Sequence, residues 1–215
     1  MSTIDRTTEM HDPISRRAFS LLGGGLLLGS SAAMGQEAAK PQESPKAGPQ
    51  EASFERDYAE PSFKPSWKKQ QINRTLVQDF VIYAHSDLEM VKKLLDRERG
   101  LINATMDWGG GDWETGLGGA SHMGRRDIVE YLLSQGARLD LFCAAMLGLT
   151  DVIRTYLTLQ PALIDAKGPH GFSLHMHAQA GGDEAKATLD YLQSIKQLEL
   201  RPLPFLKKKD EPSKS

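Results

Sequence analysis

Six histidines occur in the 215 residues, and four of them, His122, His170, His175 and His177, fall within repeated segments in the second half of the chain. His175 and His177 are two residues apart. On a helix that spacing turns the side chains about 160–200° away from each other, so the two cannot share a metal ion. His122 and His170 are the better pair. With Asp112 they would combine two imidazoles and a carboxylate, donors that suit a borderline divalent cation. Their wide separation in sequence lacks the close ligand spacing that marks a zinc motif. No metal ligand and no cofactor are therefore assigned from the sequence. A small metal- or ligand-binding protein built on His122, His170 and the acidic loop stands as the second functional reading.

The least generic stretch is "DWGGGDWE", residues 107–114. Three glycines permit a tight reversal at positive φ. Trp108 and Trp113 are large amphipathic side chains of the type that anchor protein interfaces, and Asp107, Asp112 and Glu114 add acid. The tryptophans fold down onto the neighbouring hairpin, face a partner, or divide these purposes between them. No nucleophile elbow, phosphate loop or dinucleotide fingerprint is present. The single cysteine, Cys143, forms no intrachain disulfide and reads as a small buried apolar residue. The formal net charge of −2 provides no basic field for nucleic acid. An enzyme is not expected.

The elements that must position these residues show themselves as repetition. "LGGASHMG" (117–124), "LFCAAMLG" (141–148) and "LHMHAQAG" (174–181) begin with Leu, carry small residues inside and end on Gly. The first two are followed by an acidic-start, aliphatic segment: Asp127-Ile128-Val129 with Leu132-Leu133, and Asp151-Val152-Ile153 with Tyr156-Leu157. Upstream, Glu89-Met90-Val91 with Leu94-Leu95 repeats it, and "ATLDYLQSI" (187–195) does so less regularly. This is the pattern of a helix pair. Small residues let the first helix approach its neighbours. Gly124, Gly148 and Gly181 end it in a left-handed residue. Asp87, Asp127 and Asp151 cap or charge the start of the second helix, whose V-x-x-L-L spacing makes one apolar stripe. Such a pair cannot bury its stripe alone, so pairs must stack. Ile72, Leu76, Phe80 and Tyr83 predict a further helix over 67–85, with Trp67 covering its end.

In these residues the chain resembles the ankyrin repeat family. "FSLHMHAQAGG" follows the family's T-P-L-H-x-A-A-x-x-G with Phe172, Ser173, Leu174, His175, His177, Ala178 and Gly181, and "ASHMGRRDIVEYLLSQGARLD" matches again. The resemblance covers about residues 76–197. It implies an all-α solenoid of about four stacked helix pairs, and it implies that His175 hydrogen-bonds within its repeat, with Ser173 as partner. The family period is about 33 residues. Asp127 to Asp151 is shorter, so the finger between "QGARLD" and "LFCAAM" should be missing. The connection through 103–116 is longer than usual, and 165–173 is near normal. Two projecting loops should flank a notch. The expected function is a non-catalytic module that holds a protein partner on Trp108, Asp112, Trp113, Glu114, Met123, Met146 and His170, as a monomer.

The ends differ in character. Ser15, Arg16, Arg17 and Phe19 stand before the uncharged run "AFSLLGGGLLLGSSAAMGQ", which resembles a twin-arginine export signal over 1–35. Cleavage before Gln36 or after Ala33 fits the small residues there. An uncleaved anchor is the alternative, and membrane contact is expected only then. As the resemblance implies, the mature protein would be exported folded, to the periplasm or another extracytoplasmic space. Residues 36–65 are rich in Pro, Glu, Lys and Gln and read as a disordered linker. The repeat domain is expected over 66–200, and 201–215, with Lys207, Lys208 and Lys209, reads as a disordered charged tail.

Overall fold

The computed structural model describes residues 51–206. The proposed export signal with Arg16, Arg17 and Phe19, residues 36–50 of the linker and 207–215 of the tail lie outside the described residues. The described part is mostly helical. Its eight α-helices are α1 (Arg74–Ala84), α2 (Leu88–Arg97), α3 (Gly116–His122), α4 (Arg126–Ser134), α5 (Leu141–Leu147), α6 (Thr150–Leu159), α7 (Leu174–Ala180) and α8 (Lys186–Ile195). None of them is long and apolar enough to cross a membrane.

Helices α3, α5 and α7 carry the small residues and are seven residues each, α1 is longer at 11, and all four odd-numbered helices start on a side-chain cap. Asn73, Thr115, Asp140 and Ser173 accept hydrogen bonds from the backbone N–H of Thr75, Gly118, Cys143 and Met176, satisfying donors that a helix start otherwise leaves free. The expectation for the second helices holds only in part. Asp87 caps α2 through Met90 N–H. Asp127 and Asp151 are instead inside the first turns of α4 and α6 and make no side-chain cap, so they act on the helix dipole alone. Asp127 also pairs with Arg125 at 2.6 Å.

The pairs line up in chain order. α3 packs on α1 and on α5, and α5 packs on α7, while α2, α4, α6 and α8 each lie against the odd helix before them. α3 also touches α7, so the row curls around α5. Ala120, Ala144 and Ala178 are fully buried where the odd helices meet. The aliphatic stripes fill two core clusters. One gathers Phe80, Val91, Leu95, Leu101, Ile128 and Leu132 and reaches Cys143 and Met146. The other gathers Leu141, Ala144, Ile153, Leu157, Leu174 and Leu192. Burying each such Leu or Ile contributes about 1.5–3 kcal/mol.

Two glycines show why the close approach needs them. Gly148 ends α5 at φ +79, and a Cβ there would stand 2.3 Å from the Glu184 carbonyl oxygen. Gly181 was expected in the same left-handed role, but it keeps a right-handed φ of −70. It is Gly182 that turns left-handed. Gly181 is required for space instead: its Cβ would meet the Met146 carbonyl oxygen at 2.0 Å.

The connections are unequal. Between α2 and α3 a two-stranded antiparallel hairpin projects, β1 (Thr105–Asp107) and β2 (Trp113–Thr115), with Met106 opposite Glu114. Between α4 and α5 only Gln135–Asp140 intervene, with no strand. Between α6 and α7 a loop is closed by a bridge between Lys167 and Ser173. At the ends, residues 51–73 hold no helix or strand. Trp67 does not cover α1; it is 71% exposed. Residues 201–206, expected as part of a free tail, lie on the folded part: Leu203 and Leu206 pack against the first cluster, and Gln179 Nε2 donates to the Arg201 carbonyl at 2.9 Å. Three apolar residues in six, Leu203, Phe205 and Leu206, outweigh the charges that follow.

Candidate metal centre

The curl of the row brings together the C-terminal ends of α1 and α3, strand β2 and the loop before α7. His85 follows α1 directly, Glu114 is the central residue of β2, His122 is the last residue of α3, and His170 is at the tip of the loop. One donor atom from each of these four side chains lies within 4.8 Å of all the others. His122 Nδ1 is 3.0 Å from Glu114 Oε1, His85 Nε2 is 3.3 Å from Glu114 Oε2, and His170 Nε2 is 3.6 Å from the same oxygen. Four ligands at zinc bond lengths around a tetrahedral ion stand about 3.4 Å apart, so these spacings suit a common centre.

Two observations separate this cluster from an ordinary hydrogen-bond network. Glu114 Oε1 and His122 Nδ1 are both buried and both lack a hydrogen-bond partner, although they are only 3.0 Å apart. The two atoms form a close polar contact whose angles are poor for a hydrogen bond, and a shared ion would satisfy both. Second, the far nitrogens of His85 and His170 are already engaged. His85 Nδ1–H donates to the Val81 carbonyl at 2.8 Å, and His170 Nδ1–H donates to Asp112 Oδ2 at 2.9 Å. Each bond fixes the tautomer that leaves Nε2 with a free lone pair, as outer-shell partners do in histidine metal sites.

The electrostatics agree. Glu114 is only 1% exposed. Burial presses its carboxyl toward the neutral form, but the His122 and His85 imidazoles beside it overcome this and hold its pKa at about 2. Burial likewise opposes the charged form of His85, yet the Glu114 carboxylate and the Val81 and Ile82 carbonyls raise its pKa above the usual value. The Trp108 indole N–H donates to Glu114 Oε2 at 2.8 Å, and its ring meets His170 and His85 edge-on at 5.2 and 5.9 Å. Trp108 thus lies over the cluster.

Local sequence explains the approach. A Cβ on Gly119 would stand 2.7 Å from His85 Cε1, and one on Gly116 would stand 2.7 Å from Phe80 Cε1. The "GLGG" start of α3 therefore lets α1 and its terminal histidine close in. The loop side depends on Asp112, whose two carboxylate oxygens take the His170 N–H and Nδ1–H, both at 2.9 Å. His170 adopts φ +58, the only positive φ among the described residues that is not at a glycine.

The residues expected to face a partner divide. Trp113 is 60% exposed, and Trp108 is 39% exposed. Asp112 and Met123 are partly accessible, and His170 stands at the surface. Glu114 and Met146 are corrected: both are buried, Glu114 because its strand faces α3 and Met146 because α5 turns it into the first core cluster. Neither can touch a partner. His175 does not bond Ser173, whose hydroxyl caps α7; its Nε2 donates to the Lys196 carbonyl at 2.8 Å. Cys143 takes no part, since burial pushes its thiol up to about 12.

The pair His122 and His170 was legible in sequence; His85 was not. Its signal lies in the repeat itself, because His85 and His122 occupy the C-terminal ends of adjacent odd helices. A cavity of about 490 Å3 lies between α7 and residues 198–205 but is lined by none of the four donors. A cleft of about 300 Å3 beside the cluster is lined by Asp112, Trp113, Phe142, Lys167 and Pro169. No protein-family model matches the chain, and no curated protein matches it.

Proposed function

We propose that this protein binds one divalent first-row transition ion, zinc being the best fit, through His85, Glu114, His122 and His170 on a scaffold of ankyrin-type repeats. The convergence of three imidazole nitrogens with a buried carboxylate carries the reading. Nitrogen donors with a single carboxylate favour zinc, copper or nickel over calcium and magnesium, which prefer all-oxygen shells. Four protein donors complete a tetrahedral shell and leave no position for substrate, so the centre is proposed as structural or storage-like and the protein as non-catalytic. The ankyrin-type solenoid is supported by the small-residue helices α3, α5 and α7, the apolar stripes of the even ones and the hairpin finger before α3. Export is supported by the Ser15, Arg16, Arg17 and Phe19 pattern alone.

The test is a zinc titration of the purified full-length chain against a chromophoric chelator. One equivalent is expected, and the affinity should drop in His170→Ala, whose side chain is accessible enough to remove without opening the core. A folded wild-type chain that takes up none of zinc, copper, nickel, cobalt or manganese overturns the reading.

A second reading is favoured by the exposure of Trp113 beside the cleft. We propose that Trp113, with Asp112, Met123 and accessible parts of Trp108 and His170, contacts a protein partner. Trp113→Ala should leave the fold and metal affinity unchanged while abolishing the capture of any partner recovered from an extract of the source cells; equal recovery refutes it.

A further inference from the structure

The four donors are not drawn from one helix pair. His85 belongs to the end of the first pair, and Glu114 and His122 belong to the hairpin and first helix of the second. His170 precedes the fourth pair, and the third pair, α5 and α6, gives none. The missing finger before α5 leaves the notch through which the loop before α7 reaches back to the hairpin. That loop has little else to hold it. No residue from Lys167 to Phe172 is buried. Its anchors are the Lys167–Ser173 bridge, the two His170 bonds to Asp112, the packing of Gly168 on the Phe142 ring, and the ring contacts of Phe172 with His122 and of His170 with Trp108. The apolar core is divided as well: the two clusters join through α5 and α7, where Cys143, Met146 and Ala180 face the first, and Leu141, Ala144, Ala145, Leu174 and Ala178 the second.

In a stacked repeat protein stability is a sum of each unit and its contacts with the next, so distant units open separately. A metal held by the first, second and fourth pairs adds a bond that bypasses the third. We propose that the ion, on the reading of the centre given above, is a lock between the two halves of the row. It fastens the Lys167–Phe172 loop to the β1–β2 hairpin and prevents the fourth pair from opening independently of the first two. Without the ion the loop is fastened to the hairpin by the two Asp112 bonds and the His170–Trp108 ring contact, against the unfavourable φ of His170.

Amide hydrogen exchange on the full-length chain, with and without zinc, tests the lock. The His170 N–H, which donates to Asp112 Oδ1, and the Gly109 N–H, which donates to Asp107 Oδ1, report the loop and the hairpin. If opening must release the ion, free zinc at 100 times its Kd slows exchange of the His170 amide about 100-fold. In His170→Ala, which binds zinc through three donors, the amide at position 170 gains no such protection. Asp112→Asn, which keeps the ligand, should expose the loop in the metal-free chain and regain protection with zinc. Stoichiometric zinc binding with unchanged exchange in the loop refutes the lock but leaves the metal centre standing. Failure to bind zinc removes the centre and the lock together. Full protection of the loop in His170→Ala also overturns the lock.

Discussion

Glu114→Gln is the sharpest perturbation of the centre. The amide keeps the size of the carboxyl and can still accept the Trp108 indole N–H, which is 2.8 Å from Oε2, so packing changes little. What it removes is a charge with 1% exposure and a pKa near 2 against an ordinary value of 4.5. At 1.36 kcal/mol per pKa unit, ionised Glu114 contributes about 3 kcal/mol to the metal-free fold at neutral pH. A neutral amide cannot make that contribution, so the metal-free variant should be less stable by up to about 3 kcal/mol in urea titrations. Loss of an outer-shell partner weakens a metal site by about 10–100-fold, and loss of a direct ligand should exceed this. The zinc Kd is therefore expected to rise by more than about 100-fold in chelator competition. A variant that folds and binds zinc as tightly as the parent would show that Oε1 and its neighbour His122 Nδ1 do not face a common ion.

Gly119→Ala tests the close approach of α3. Its Cβ would stand 2.7 Å from His85 Cε1, so His85 must turn away, and zinc affinity should fall about 10–100-fold while circular dichroism stays unchanged, alanine being the better helix former. The metal-free protein should lose stability in acid in two stages. Burial holds neutral His177 down to a pKa of about 4, with the Ser173 carbonyl opposing and His122 assisting. Its folded value lies below its unfolded 6.5, so stability falls as pH drops from 6.5 toward 4, by up to about 3 kcal/mol. Glu114 contributes above 4.5, and its share is lost as pH falls through about 2. His85, raised, acts in the opposite sense and loses its contribution as pH climbs through its folded value. Urea midpoints between pH 2 and 8 check this, and His177→Gln should flatten the slope between 6.5 and 4; an unchanged slope refutes the assignment. The Cys143 thiol, pushed up to about 12 by burial, should resist alkylation at pH 8 in the native chain and react once it is unfolded, as read by mass spectrometry; rapid native labelling contradicts its burial.

The helical content was legible in the sequence because it is written locally. Ala120, Ala144 and Ala178 and the stripes at Val91, Ile128 and Ile153 are set by neighbours three and four residues away, and a helix closes its hydrogen bonds over that distance. The short α4–α5 connection and the long one through 103–116 followed from counting alone. Local pattern failed where competing roles share a residue type. Gly181 and Gly182 are both glycines after a helix, yet Gly182 turns left-handed while Gly181 is needed for space against Met146 on α5, a neighbour no local pattern reveals. Leu203 and Leu206 looked like tail because what holds them lies on other helices.

The centre belongs almost wholly to tertiary structure. Sequence alone supplied His122, His170, Asp112 and an acidic tryptophan loop, with no spacing to bind them into a site. It read Glu114 and Met146 as surface and passed over His85, which is 85 residues from His170. The curl of the row, with α3 touching both α1 and α7, brought these four donors within one ion's reach. Helix propensity is a property of a few adjacent residues. The direction in which a stack bends depends on every side chain packed between its units, and that sum is not written in any one segment.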